Sequence, residues 1–149
     1  MSAPGFVVRA ATADDISALH RIRLAVRENQ LAAATAVSTE SYVPFVAGGT
    51  IWVAECDGQM FGFAALDVGE ANVWALFVDP QFEEQGAGRA LHDHMLRSAS
   101  AKGLPRLWLT TAPGTRAEQF YSRLGWMRSA VMDTGEIRFE RQVPIQTPR

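Results

Sequence analysis

The segment from Leu76 to Leu91 limits this chain more than any other: an apolar run stops at Asp79-Pro80, and a helix pattern begins among glycines. Ala71 to Val78 is almost continuously apolar, which predicts a strand buried on both faces. Proline ends it. Ala87, Leu91, Met95 and Ala99 then recur every four residues, predicting a helix up to Lys102 that stops at Gly103. The first N–H groups of such a helix have no intrahelical acceptor and sit at the positive end of its dipole. Glycines there let the backbone approach a ligand. The loop Glu83-Glu84-Gln85-Gly86-Ala87-Gly88 is therefore a candidate anion site, with Arg89 as a charged donor. A bare Gly-x-Gly more often only shapes a tight turn. No Lys-Ser or Lys-Thr pair follows, so this is not a P-loop, and no third glycine falls at the dinucleotide-binding spacing.

The flanking sequence predicts hairpins and crossovers in one chain. Phe6 to Ala10 is a short strand. Thr12-Ala13-Asp14-Asp15 reads as a helix cap, and Ile16, Leu19, Ile22 and Val26 form one apolar stripe of a helix running to about Gln30. Ser38 to Ala47 predicts a second, short helix ended by Gly48-Gly49. Thr50 to Cys56 and Gln59 to Asp67 flank Asp57-Gly58, a two-residue hairpin signal. Leu107 to Thr111 is a strand, Thr115 to Leu124 a helix ending at Gly125, and Trp126 to Asp133 with Glu136 to Gln142 a last antiparallel pair. The order β-α-α-β-β-β-α-β-α-β-β argues for a mixed sheet with helices on its faces.

Composition excludes several functions. The net charge of −2, from 14 basic and 16 acidic residues, gives no electrostatic case for nucleic acid. No apolar run approaches a membrane span, and the N-terminus lacks the pattern of a signal peptide. The single cysteine, Cys56, cannot close an intrachain disulfide and fits a reducing cytoplasm. His92 and His94 stand two apart on a helix and diverge, and His20 stands alone, so no metal site is expected. Trp52, Trp74, Trp108 and Trp126 fall on predicted strands without a basic groove and read as core or interface fillers.

Two segments together carry a family resemblance. Ala75-Leu76-Phe77-Val78-Asp79-Pro80, followed by Gln85-Gly86-Ala87-Gly88-Arg89-Ala90-Leu91, is similar to the strand-loop-helix cofactor segment of the GNAT superfamily of N-acetyltransferases, written Q/R-x-x-G-x-G/A. Ala117-Glu118-Gln119-Phe120-Tyr121-Ser122-Arg123-Leu124-Gly125-Trp126 resembles that family's A-x-x-F-Y-x-x-x-G-F segment. The resemblance runs from Val7 to Gln142. It implies an α/β (α+β) acyl-CoA N-acyltransferase fold, a mixed central sheet flanked by about four helices. One domain would cover residues 1–149, with 144–149 as a flexible tail. It also implies acetyl-CoA as cosubstrate and no metal. Leu76, Phe77 and Val78 would present backbone groups to the pantetheine arm, and Gln85, Gly86, Ala87, Gly88 and Arg89 would hold the pyrophosphate. The implied reaction moves an acetyl group to a primary amine of a small molecule or peptide by direct attack in a ternary complex. A non-catalytic acyl-CoA-binding sensor or interaction module is the alternative. Exposed strand edges in this architecture leave a homodimer open.

Three departures from the family pattern stand out: Glu83 where glutamine or arginine is favoured, Glu84 where glycine is common, and Gly114 where asparagine is frequent. Tyr121 is the candidate general acid, because a phenol with a pKa of about 10 can protonate a departing thiolate. By residue type alone it reads as a core tyrosine packing the last helix; the A-x-x-F-Y match favours the catalytic role. Candidate bases are Glu28, Asp67, Glu70 or a chain of water. The run Arg21, Arg23, Arg27, Glu28, Asn29 reads as an exposed helix face, but the resemblance implies that this end of the helix borders the acceptor, with Glu28, Asn29 and Trp74 as candidate substrate contacts.

Overall fold

The computed structural model describes residues 6–26 and 38–144. Seven strands form one mixed sheet: β1 Val7–Ala10, β2 Ile51–Cys56, β3 Gln59–Asp67, β4 Asn72–Val78, β5 Arg106–Thr111, β6 Met127–Val131 and β7 Ile137–Gln142, in the order β1-β2-β3-β4-β5-β7-β6. Four α-helices accompany it: α1 Ile16–Ala25, α2 Val43–Gly48, α3 Ala87–Ala101 and α4 Arg116–Arg123. This is the expected mixed sheet.

Local chemistry explains most boundaries. Asp57 and Gly58 both take positive φ, 53° and 78°, the geometry a tight hairpin demands. The capping residues before α1 hold as read, with Asp15 Oδ2 accepting from the Thr12 N–H at 2.8 Å. Ser38 to Tyr42 is not α-helix; a 3-10 turn over Thr39–Tyr42 leads into α2, where Pro44 sits in the first turn and needs no N–H partner. The first helix stops at Ala25, short of the expected Gln30. The Val26 N–H bonds back to Arg23 O, a tightened last turn, and Val26 itself is extended at φ −82° and ψ 97°. Trp126 lies in the turn between α4 and β6, not on a strand.

Two features of β4 shape the molecule. Every neighbouring strand pair is antiparallel except β4 and β5, which run parallel and pair only at Asn72 and Trp108. Beyond that point the two strands splay, and β5 gives Leu76 to Val78 no ladder partner among the described residues. The second feature is a bulge. Ala65 opposes Ala75 while Leu66 opposes Val73, so Trp74 is an extra residue on β4.

The bulge aims Trp74 and Ala75 at the same face. That face holds one apolar cluster, built on Leu19 and Ile22 of α1, Tyr42, Phe63 and Ala75. The other face holds a larger cluster in which α3 (Leu91, Met95, Ala99) packs with residues from both halves of the sheet, Leu66, Leu109 and Phe139 among them. The first cluster contains nothing from β5, β6 or β7. The wedge between β4 and β5 is thus bridged on one face only. Among the described residues no helix is long and apolar enough to cross a membrane.

Candidate functional site

The loop leaving β4 is pinned before it reaches the glycines. The Asp79 N–H donates to Phe61 O at 2.8 Å, and Asp79 Oδ1 accepts from the Gln81 N–H at 3.0 Å. The Phe82 ring stacks on Phe61, centroids 4.1 Å apart. Glu84 and Gly86 then take positive φ, 65° and 95°. The Ala90 N–H makes the first helical bond, to Gly86 O at 3.0 Å. Ala87, Gly88 and Arg89 are left with N–H groups that no intrahelical carbonyl accepts.

The two glycines do different work. Gly86 bends the chain through a left-handed conformation. Gly88 permits close packing: a Cβ there would lie 3.3 Å from Val78 Cγ2 and 3.4 Å from the Phe120 ring. The start of α3 therefore sits directly against the end of β4 and against α4.

These elements enclose a cleft of about 790 Å³. Leu76, Phe77, Val78, Gly86, Ala87, Gly88, Arg89 and Tyr121, all named from the sequence, line it together, with Ala25 and Val26 from the end of α1. Both acids, Glu83 and Glu84, line the cleft. Glu83 forms an ion pair with Arg116 of α4, which also lines the cleft. Glu84 is exposed, and its φ explains why glycine suits that position. Gly114 makes its own use of the missing asparagine: its N–H donates to Glu118 Oε1 at 2.8 Å while Thr115 caps α4. Arg89 Nε lies 3.2 Å from an Asp93 carboxylate oxygen, one turn along α3.

Tyr121 is 5% exposed, and burial pushes its phenol well above the usual range. The group stays protonated at neutral pH, so its hydroxyl has a proton to donate. Its backbone is held through Trp126, whose N–H donates to Tyr121 O at 3.1 Å. The Trp126 indole N–H donates to His92 Nε2 at 2.9 Å, and His92 Nδ1 faces Asp93 Oδ1 at 3.1 Å. The imidazole thus carries its proton on Nδ1.

A family model described as an acetyltransferase (GNAT) domain matches residues 47–128, from the end of α2 into β6, and includes every cleft-lining residue except Ala25 and Val26. The chain belongs to the GNAT acetyltransferase family. A ribosomal protein bS18-alanine N-acetyltransferase of Escherichia coli is 33% identical to this GNAT chain over 78 residues, half of the chain and 53% of that protein. An amino-acid acetyltransferase of Ralstonia nicotianae is 36% identical over 90 residues, 58% of the chain and 19% of that protein. The chain thus spans about half the length of the first relative and less of the second. Among solved structures, the PaiA N-acetyltransferase of Thermoplasma acidophilum in complex with coenzyme A superposes with a TM-score of 0.79 at 14% identity, covering 93% of this chain and 99% of that one. That likeness shows the GNAT fold.

Other residues singled out from the sequence fall elsewhere. Gln85 is exposed and outside the cleft wall. Trp74 points to the α1 face, stacked on Phe45 at 4.5 Å. Glu28 and Asn29 lie outside the described residues. Asp67 ends β3 and Glu70 lies in the turn to β4, where its N–H donates to Asp67 Oδ1 at 3.2 Å. Neither is among the residues that line the cleft. Sequence reasoning missed three residues: Arg116, Arg23 and His92. The last two had a signal, because each sits on the apolar stripe of its helix: Arg23 with Leu19, Ile22 and Val26, and His92 with Met95, Leu96 and Ala99. Among the described residues no group of three or more His, Cys, Asp or Glu could hold a metal.

Proposed function

We propose that this GNAT domain is an acetyl-CoA-dependent N-acetyltransferase that acts on a primary amine of a small molecule or peptide. One observation carries the reading: the unpaired edge of Leu76–Val78 leads directly to the uncapped start of α3 at Gly86–Arg89, with the Tyr121 phenol in the same cleft. An extended amide-bearing arm suits the first feature and a diphosphate the second. The Gly88 contacts support the fit, since a side chain there would fill the angle between β4 and α4.

Acetyl-CoA, when bound, supplies a thioester that a neutral amine can attack directly. Backbone groups of Leu76 to Val78 would orient the pantetheine arm like an added strand. N–H groups of Ala87, Gly88 and Arg89 would hold the diphosphate, with the Arg89 guanidinium added. Tyr121 would donate from its hydroxyl to the departing sulfur. A phenol kept neutral by burial favours hydrogen-bond donation over free ionisation. The acceptor classes named for the two relatives, a ribosomal protein's alanine and an amino acid, both present primary amines.

A cytoplasmic setting rests on the lone half-buried Cys56. Homodimer formation is supported by the edge strand β6, where Met127 and Val131 are 70% and 69% exposed. Calorimetric titration with coenzyme A, followed by thiol release across an amine panel, tests the function. Binding without turnover on any amine would place the chain among non-catalytic acyl-CoA modules, and no binding at millimolar coenzyme A would remove the cofactor.

A further inference from the structure

Arg23 is a half-buried cation that pairs with no anion among the described residues. It sits on the inward stripe of α1, and its Cζ lies 5.0 Å from the Trp74 ring centroid and 4.9 Å from that of Phe77. Its Nε and Nη1 are both buried, and neither has a hydrogen-bond partner. Burial lowers its pKa; a side-chain hydrogen bond with the Tyr42 phenol works against that, and no carboxylate contributes among the described residues. The contrast with Arg21, two residues earlier, is direct: that side chain is exposed and lies 3.8 Å from Asp79.

A guanidinium removed from water without a counter-ion is strongly unfavourable. Two aromatic faces recover part of the loss, as a cation over a ring does. They leave donor groups unmatched, and buried unmatched donors in a native fold call for a partner. The place of the guanidinium says which partner. Phe77, the ring beneath it, lines the cleft, as do Ala25 and Val26, the two residues that follow Leu24 on α1. Arg23 thus stands one ring away from the end of the cleft, on the face of the sheet opposite α3. The bulge at Trp74 builds this arrangement by placing a second large ring on that face.

We propose that Arg23 is a specificity-determining residue that pairs with a carboxylate carried by the amine acceptor, so that the acceptors are amino acids or peptides with an acid close to the reacting amine. This rests on the acetyltransferase reading and narrows it. A carboxylate is planar, matches the guanidinium in hydrogen-bonding geometry, and brings a single charge to neutralise a single charge.

The test uses the full chain with saturating acetyl-CoA and follows free thiol. Acceptors are matched pairs: the C-terminally amidated dipeptides Ala-Glu and Ala-Gln, which share one reacting amine, and free alanine with alaninamide, which differ in the carboxylate beside the amine. For the wild type, kcat/KM is expected to be at least about tenfold higher for the acid member of a pair. Arg23→Gln should abolish that preference, mainly through KM for the acid, while the amide member and the dissociation constant for coenzyme A stay unchanged. Arg23→Lys keeps the charge and should keep part of the preference, so the result does not depend on one variant folding. In the coenzyme-A-loaded protein, the acid peptide should raise Tm and the amide peptide should not. Preference in the dipeptides alone selects peptides as acceptors, and preference in the free pair alone selects amino acids. Equal wild-type turnover of acid and amide in both pairs overturns the role of Arg23 and leaves the transferase reading standing. Coenzyme A binding with no thiol release from any acceptor overturns both.

Discussion

The Trp126 indole N–H donates to Nε2 of His92 across 2.9 Å, inside a region where His92 is 1% exposed. The bond joins α3 to the turn after α4 and so fixes the chain that carries Tyr121. Because Nε2 accepts, the imidazole must be neutral for the bond to exist. Burial lowers the His92 pKa, with Asp93 acting in the opposite sense.

The sign of the pH dependence follows. A histidine whose folded pKa lies below the ordinary value of about 6.5 takes up its proton more readily when unfolded. Its contribution is complete above that value and is lost as pH falls through the folded pKa. Tm is expected to decline from pH 7 towards pH 5, and the decline should be shallower in His92→Phe. At pH 7.5 the same variant should lose about 1–3 kcal/mol, because the indole N–H is left buried without an acceptor. Denaturant unfolding at both pH values measures this, and equal slopes for the two proteins would refute it.

Tyr121→Phe removes one hydroxyl from the cleft and no packing volume. Turnover should fall at least about tenfold, in the range for loss of an acid catalyst, while the dissociation constant for coenzyme A stays nearly the same. Single-turnover thiol release paired with calorimetry separates the two effects. Unaltered turnover would leave Tyr121 as a core residue.

Glu84 holds φ at 65° with a full side chain. Left-handed backbone costs a non-glycine residue roughly 1–2 kcal/mol, part of which glycine returns through its freer unfolded chain. Glu84→Gly is expected to stabilise the fold by up to about 1 kcal/mol and, by removing a carboxylate beside the start of α3, to tighten coenzyme A binding severalfold at low salt. The gain should shrink at high salt, since the group is exposed. Thermal melts and titrations at two ionic strengths check both parts.

Gly62 of β3 faces the same segment from behind. A Cβ there would lie 2.5 Å from Phe77 O and 3.1 Å from Val78 Cα. Gly62→Ala should cost about 1–3 kcal/mol through overpacking and weaken coenzyme A binding with it, because the backbone that yields is the cleft wall. A destabilised variant with unchanged affinity would show that the wall had not moved.

Much of this was readable in advance because it is written locally. Asp57-Gly58 specifies its hairpin by itself, and the helix start at Gly86 follows from a strand, a proline and two glycines in one run. What escaped depends on distant partners. Nothing near Trp74 announces a bulge, since the extra residue exists only relative to β3. Gly86 and Gly88 look alike in sequence and differ through Val78 and Phe120. The run from Arg21 to Asn29 reads as an exposed face, yet the spacing of Arg23 from Leu19 and Ile22 sets it inward, against Trp74 and Phe77.

The parting of β4 from β5 after a single paired position has a mechanical consequence. The sheet resembles an arch with one stone missing, its two limbs tied along the α3 side alone. Whatever settles against Leu76–Val78 becomes the keystone and lends the whole span rigidity. The slowing of amide hydrogen exchange on coenzyme A binding should therefore reach past the contacted residues, into β5 and β7.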